Sequence, residues 1–90
     1  EFYGNEFQFT QRADGSWLID GQFPLSEFLR KFDLDEFAGQ YPFNTISGLI
    51  LHELRRIPAP GDAMQWLNFK FEIVDMDGAR IDKVLLTRSD

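Results

Sequence analysis

The run Phe69-Lys70-Phe71-Glu72-Ile73 constrains this chain most, because it alternates apolar and polar residues without a break. A period of two sends alternate side chains to opposite faces, so residues 69–73 are predicted to form a strand with one dry and one wet face. Asp77-Gly78 follows. This dipeptide favours a tight hairpin, since glycine reaches positive φ without a steric penalty, and residues 81–87 then return as the antiparallel neighbour. Residues 64–67 supply a third strand of the meander. Strict alternation cannot bring Ile81 and Val84 to one face, so a bulge or bend is expected between them.

A sheet with one apolar face must be covered, and the preceding residues supply the cover. Residues 7–12 alternate Phe7 and Phe9 with polar neighbours, Asp14-Gly15 reads as a two-residue hairpin, and residues 16–20 form the return strand. With Trp17 and Ile19 on one face and Leu18 on the other, that strand suits an interior position. Pro24 pre-sets a helical φ ahead of Leu25, Phe28, Leu29 and Phe32, which recur at i, i+3, i+4 and i+7. Residues 33–42 mix acidic and turn residues with Leu34, Phe37 and Tyr41, as expected of a loop pinned by aromatic contacts. Thr45 is placed to cap a second helix whose apolar stripe is Ile46, Leu49, Ile50, Leu54 and Ile57, and Pro58 with Pro60-Gly61 stops it. The predicted order is β-β-α-α-β-β-β, an α+β domain with a mainly antiparallel sheet. Residues 1–6 form a leader and residues 7–90 the domain.

Ninety residues suit one core, and ten phenylalanines provide large apolar area with no polar tip that needs a partner. The net charge of −6 repels phosphate backbones, and Arg30-Lys31 and Arg55-Arg56 are too isolated to make a basic stripe, so nucleic acid is not expected as a partner. The chain has no cysteine, which excludes disulfides, thiolate metal sites and cysteine nucleophiles. No run approaches the ~20 apolar residues of a spanning helix, so direct membrane insertion of these residues is not expected. Residue 1 is glutamate rather than methionine, which is read as the start of a piece from a longer frame.

Residues able to carry chemistry are few. His52 is the only histidine, and its helical angle puts it beside Gly48 and Arg55 as a solvated side chain. Glu53 falls inside the arc of Ile46, Leu49, Ile50 and Ile57, where a carboxylate needs a cationic partner. Asp33, Asp35 and Glu36, and separately Asp75 and Asp77, offer hard oxygen ligands to Mg²⁺ or Ca²⁺. The spacing of a calcium loop is missing from the first group, and the second sits at a hairpin where Asp is common. Phosphate-cradling glycine loops and a G-x-S-x-G elbow are both missing. No catalytic residue and no cofactor are assigned.

Several segments, in order, resemble one family: residues 14–21 (Asp-Gly-Ser-Trp-Leu-Ile-Asp-Gly), 45–50 (Thr-Ile-Ser-Gly-Leu-Ile), Arg56-Ile57-Pro58 with Gly61-Asp62, residues 69–73, Met76-Asp77-Gly78, and Arg80-Ile81 ahead of Val84. This is similar to the CorC/HlyC transporter-associated domain, with the likeness running from about Phe7 to Leu86. The resemblance implies a C-terminal module on the cytoplasmic side of the cell membrane, in a bacterial protein of the hemolysin-like or magnesium and cobalt efflux group. Its partners would be the CBS and transmembrane domains of that parent. The implied fold is similar to a subdomain of FAD-binding oxidoreductases of the vanillyl-alcohol-oxidase type, and the implied role is regulation of ion transport without catalysis. A ligand-sensing domain, binding a nucleotide or divalent metal beside the 33–42 loop, is the alternative. A homodimer is considered on the strength of Phe2, Tyr3 and Leu67, apolar residues near a terminus or edge. Two positions depart from the family pattern: Arg55 stands where glycine is common, and Leu67-Asn68 where small turn residues are common, which suggests a longer hairpin or an exposed Leu67.

Overall fold

Eight elements follow one another in a computed structural model that describes residues 7–89. They are β1 (Phe9–Gln11), β2 (Trp17–Asp20), α1 (Leu25–Lys31), a 3-10 turn (Asp35–Phe37), α2 (Ile46–Leu54), β3 (Ala63–Trp66), β4 (Phe69–Asp77) and β5 (Arg80–Arg88). The order matches the predicted β-β-α-α-β-β-β. All pairings are antiparallel, and the single sheet runs β1-β2-β5-β4-β3. Strand β2 is therefore interior, as the apolar residues on both its faces suggested.

Alternation decides what the sheet buries. Phe69, Phe71 and Ile73 of β4 pair with Arg88, Leu86 and Val84 of β5, and Val84 and Leu86 pair in turn with Ile19 and Trp17 of β2. Their apolar side chains share one face, which meets Leu25, Phe28 and Leu29 of α1 and Ile46, Leu49 and Ile50 of α2 in a single core. The other face carries Leu18, Leu85 and Glu72 in one row and Lys70 beside Thr87.

The expected irregularity lies between Ile81 and Val84, and it is doubled. Ile73 pairs with Val84, Asp75 with Lys83, and Met76 with Ile81, so β4 bulges out Val74 and β5 bulges out Asp82. Each bulge offsets the other. The register recovers by Asp77 and Arg80, and both Ile81 and Val84 are fully buried.

Four details differ from expectation. Asp14-Gly15 belongs to a three-residue loop: the Arg12 amide donates to the Ser16 carbonyl and the Gly15 amide to the Arg12 carbonyl, with Gly15 at φ +91°. That is a turn followed by a left-handed residue, the usual build of this loop length. Helix α2 ends at Leu54 because Arg55 takes the left-handed conformation, φ 61° and ψ 29°, and its amide donates to the Leu51 carbonyl. Ile57 is consequently outside the helix and 63% exposed, so it is no part of the apolar stripe. The hairpin at Leu67-Asn68 is not longer, since Trp66 pairs directly with Phe69, but Leu67 is exposed and sits at φ 54°. Phe2 and Tyr3 lie outside the described residues.

Arginine at a left-handed helix end is strained where glycine is not. Arg55→Gly is therefore expected to stabilise the domain, by up to about 1 kcal/mol once the larger entropy of unfolded glycine is subtracted. Urea unfolding should show the midpoint rising with an unchanged slope.

Candidate functional site

A cleft of about 500 Å³ lies between the start of α1 and residues 37–45. Its position follows from the way the two helix starts are tied together. Pro24 and Thr45 form an isolated antiparallel bridge, the Leu25 amide donates to the Asn44 carbonyl at 2.8 Å, and the Ile46 amide to the Phe23 carbonyl at 3.0 Å. Thr45 caps α2 as predicted, its Oγ1 accepting from the Gly48 amide at 3.1 Å. The segment between the helices must bow outward, and the cleft lies beneath it.

Aromatic residues hold that segment open. Phe37 packs edge-on against Trp66 with ring centroids 5.4 Å apart, and the Trp66 Nε1 donates to the Tyr41 hydroxyl at 3.3 Å. Tyr41 stacks on Phe43 at 5.1 Å, and Phe43 lies 5.3 Å from the exposed His52 ring. A Cβ on Gly48 would come within 2.6 Å of the Phe43 Cβ, so this glycine is what lets the loop settle on α2. The wall is formed by Phe7, Phe37, Tyr41, Phe43, Pro24 and Leu29, with Gln22, Ser26, Asn44 and Thr45 among its polar members. No charged side chain among the described residues lines it.

The acidic residues singled out in the sequence have other duties. Asp33 sits at φ 57° just past the end of α1, where its amide donates to the Arg30 carbonyl and the Leu34 amide to the Leu29 carbonyl. This is a Schellman ending, with Asp33 in the position glycine usually takes. Asp35 and Glu36 open the 3-10 turn on the surface. Asp75 and Asp77 are exposed beside the bulge and hairpin, and Asp77 lies 3.7 Å from Arg80. Among the described residues no three His, Asp or Glu side chains converge on a point that could hold a metal ion. Glu53 is exposed and not buried: its angle falls between those of Leu49 and Ile46, but it stands in the last turn of α2, which ends at Leu54.

Two carboxylates are clearly perturbed, and both serve turns. Ser16 holds the Asp14 carboxyl below its ordinary value through its hydroxyl, at 2.6 Å, and its amide, at 3.0 Å. Arg56, at 2.8 Å, chiefly lowers Asp62, with help from the Ala59 amide at 2.9 Å. A carboxylate with a depressed folded-state value stabilises the fold above its ordinary value of 3.8, and that contribution is lost as pH falls through the lower, folded value. Acid unfolding of an Asp14→Asn, Asp62→Asn double variant should show a flatter dependence on pH below 3.8 than the parent chain.

The fold is that of a small α+β domain, one antiparallel five-stranded sheet covered by two helices. Residues 10–90 match the family model of the transporter associated domain, CorC_HlyC. The chain belongs to that family, which is a transporter-associated one and not a catalytic one. It is 42% identical over 87 residues to the polyamine export protein of Escherichia coli strain K12, covering 97% of this chain and 20% of that protein. A similar relative is the polyamine export protein of Haemophilus influenzae, 36% identical over 88 residues. The chain thus spans about a fifth of the length of these relatives. Among solved structures, the CorC_HlyC domain of a Xylella fastidiosa Temecula1 hemolysin, obtained in complex with Mg²⁺ and Mn²⁺, superposes with a TM-score of 0.78 at 38% identity, covering 91% of this chain and 98% of that one. The domain of a Porphyromonas gingivalis CBS domain protein gives 0.79 at 31% identity, covering 91% and 98%.

No helix among the described residues is long and apolar enough to cross a membrane. The sequence reading located the cleft's loop but named its acidic residues, whereas the wall is aromatic. The spacing of Phe37, Tyr41 and Phe43 around Pro42 was the available signal.

Proposed function

We infer that this chain is a non-catalytic regulatory module of a longer membrane-anchored protein, acting on cation export from the cytoplasmic side and working through contacts with neighbouring CBS and transmembrane domains. The observation that carries the reading is where the family-matching residues sit. Gly21, Thr45 and Gly48 build a chain crossing, a helix cap and a loop seat, so what the family pattern preserves here is a shape. The cargo class is a cation. Magnesium and cobalt follow from the sequence resemblance, and polyamines from the names of the relatives. Deleting this module from its parent and following cellular export of Mg²⁺, Co²⁺ and spermidine tests the assignment. A changed export rate or set point for one of them is expected, and unaltered export of all three would overturn it.

The cleft favours a second reading, in which the module senses a small ligand. Among the described residues, a nucleotide's phosphates would meet no cationic side chain on this wall, and a divalent metal would meet no carboxylate. An alkyl ammonium suits it better, because ring faces attract a cation while the methylenes bury against Leu29 and Pro24. Calorimetric titration with spermidine, ATP, FAD and Mg²⁺ is expected to show heat with spermidine alone. A flat response to all four would sink the sensing idea and leave the regulatory one standing.

A further inference from the structure

The aromatic cleft lies where the described chain starts. Phe7, the first described residue, is half-buried and forms part of the wall together with Pro24, Leu29 and Phe43. The sheet fixes the direction of approach. Strand β1 runs antiparallel to β2, with Phe9 opposite Ile19 and the Asp20 amide donating to the Gln8 carbonyl at 2.9 Å. Read backwards from β1, the chain therefore heads towards Gly21 and Gln22, the side on which the cleft opens. Alternation puts Phe7 on the same face as Phe9, whose ring lies 4.8 Å from that of Phe23 in the core. The bond from residue 6 thus joins the domain at the cleft.

The residues on the far side of that bond are Glu1-Phe2-Tyr3-Gly4-Asn5-Glu6. Their chemistry matches the wall. The uncharged run from Phe2 to Asn5 meets a wall with no charged side chain among the described residues, while the flanking glutamates suit the wet mouth. Phe2 and Tyr3 bring two rings to a surface built from Phe7, Phe37, Tyr41 and Phe43, where edge-on and offset ring contacts are favourable. A Tyr3 hydroxyl would find amide or hydroxyl partners in Gln22, Ser26 and Asn44. Length permits this, since Tyr3 and Phe2 stand four and five positions before Phe7, a reach of roughly 14 and 17 Å when extended. Gly4 allows the chain to turn back, because it takes positive φ without a steric penalty.

We propose that residues 1–6 form a strap that closes this cleft, with Phe2 and Tyr3 seated against Leu29, Phe37 and Phe43 and both glutamates left in water. Tethering chooses this occupant. A segment joined to the wall through Phe7 is present at high effective concentration, so modest ring contacts hold it against a free ligand of similar chemistry. The strap bears on both functions proposed for the module. If the cleft senses spermidine, strap and ligand compete, and the apparent affinity falls by the fraction of molecules whose cleft is open. On the regulatory reading, on which this step rests, a pull on residues 1–6 from the rest of the parent protein opens the cleft.

Nuclear Overhauser spectra of the ninety-residue chain test this. The ring protons of Phe2 and Tyr3 are expected to show contacts to the Ala38 and Leu29 methyls and to the Phe43 ring, unchanged on dilution. The double variant Phe2→Ser/Tyr3→Ser should shift the amides of Ser26, Ala38 and Asn44 and leave those of β3 and β4 in place. Ala38→Trp, which fills the cleft from an exposed position, should release Phe2 and Tyr3 to random-coil shifts. Calorimetry separates strap from ligand: the double serine variant should bind spermidine about threefold or more tighter than the parent chain. If neither chain gave heat, the sensing reading would fall and the Overhauser contacts would decide the strap alone. Missing contacts at Phe2 and Tyr3, contacts that fade on dilution and so come from a second copy, or equal spermidine binding by the two chains would each overturn the proposal.

Discussion

Gly21→Ala should lower the thermal midpoint by roughly 10–25 °C, the consequence of about 3 kcal/mol of overpacking in a domain this size. Gly21 is buried where β2 leaves the sheet, and a Cβ there would overlap the carbonyl oxygen of Ile81. Its conformation is not the issue, because Gly21 is not among the glycines at positive φ. Space alone decides. The backbone on both sides is committed as well: the Gly21 amide donates to the Asp82 carbonyl at 2.9 Å, and its own carbonyl accepts from the Ser47 amide at 2.7 Å. One residue therefore joins the end of β2, the bulge of β5 and the first turn of α2. Since the obstacle is main chain, trimming Ile81 to alanine in the same molecule should bring no recovery. A rescue by that second change would show that the Ile81 side chain, which also lies near, was the true obstacle. Scanning calorimetry of the two single variants and the double reads this directly.

The clash could not be foreseen from the sequence, although residues 14–21 carried part of the family resemblance. Asp20-Gly21 reads as an ordinary turn, and only the position of β5 reveals why a side chain cannot follow. Features set by near neighbours were legible: the alternation of 69–73, the cap at Thr45, the irregularity before Val84. Features set by one conformational choice were not. Arg55 lacks the glycine signal of a helix end, so the apolar pattern runs on to Ile57, and Glu53, at an apolar angle but in the last turn of α2, is exposed. Asp33 hides a helix ending in the same way, and its acidity suggested a metal ligand instead. The cleft was half visible. Its loop announced itself by length and aromatic content, but Phe7, Gln22 and Leu29 reach the wall from three other segments, and their meeting is a property of the sheet order.

Phe28→Ala should cost about 3–5 kcal/mol, the range for removing a fully buried phenylalanine when the surroundings close only partly over the void. Phe28 is completely buried and is the side chain by which α1 grips the sheet. Its ring lies 5.3 Å from Phe69, 5.8 Å from Phe71, 6.1 Å from Trp66 and 5.3 Å from Phe32, so residues of β3, β4 and the end of α1 all lose a neighbour together. Phe28→Leu keeps most of the volume and should cost under about 1.5 kcal/mol, while Ile57→Ala, at an exposed site, should stay within about 0.5 kcal/mol. Guanidinium unfolding measures all three, and an unchanged slope certifies that the effect is on stability and not on the cooperativity of unfolding. The ordering matters more than the values. If Ile57→Ala destabilised as much as Phe28→Ala, the apolar stripe of α2 would run through residue 57 after all, and the helix ending at Arg55 would be wrong. If Phe28→Leu cost as much as Phe28→Ala, ring packing rather than filled volume would hold α1 in place.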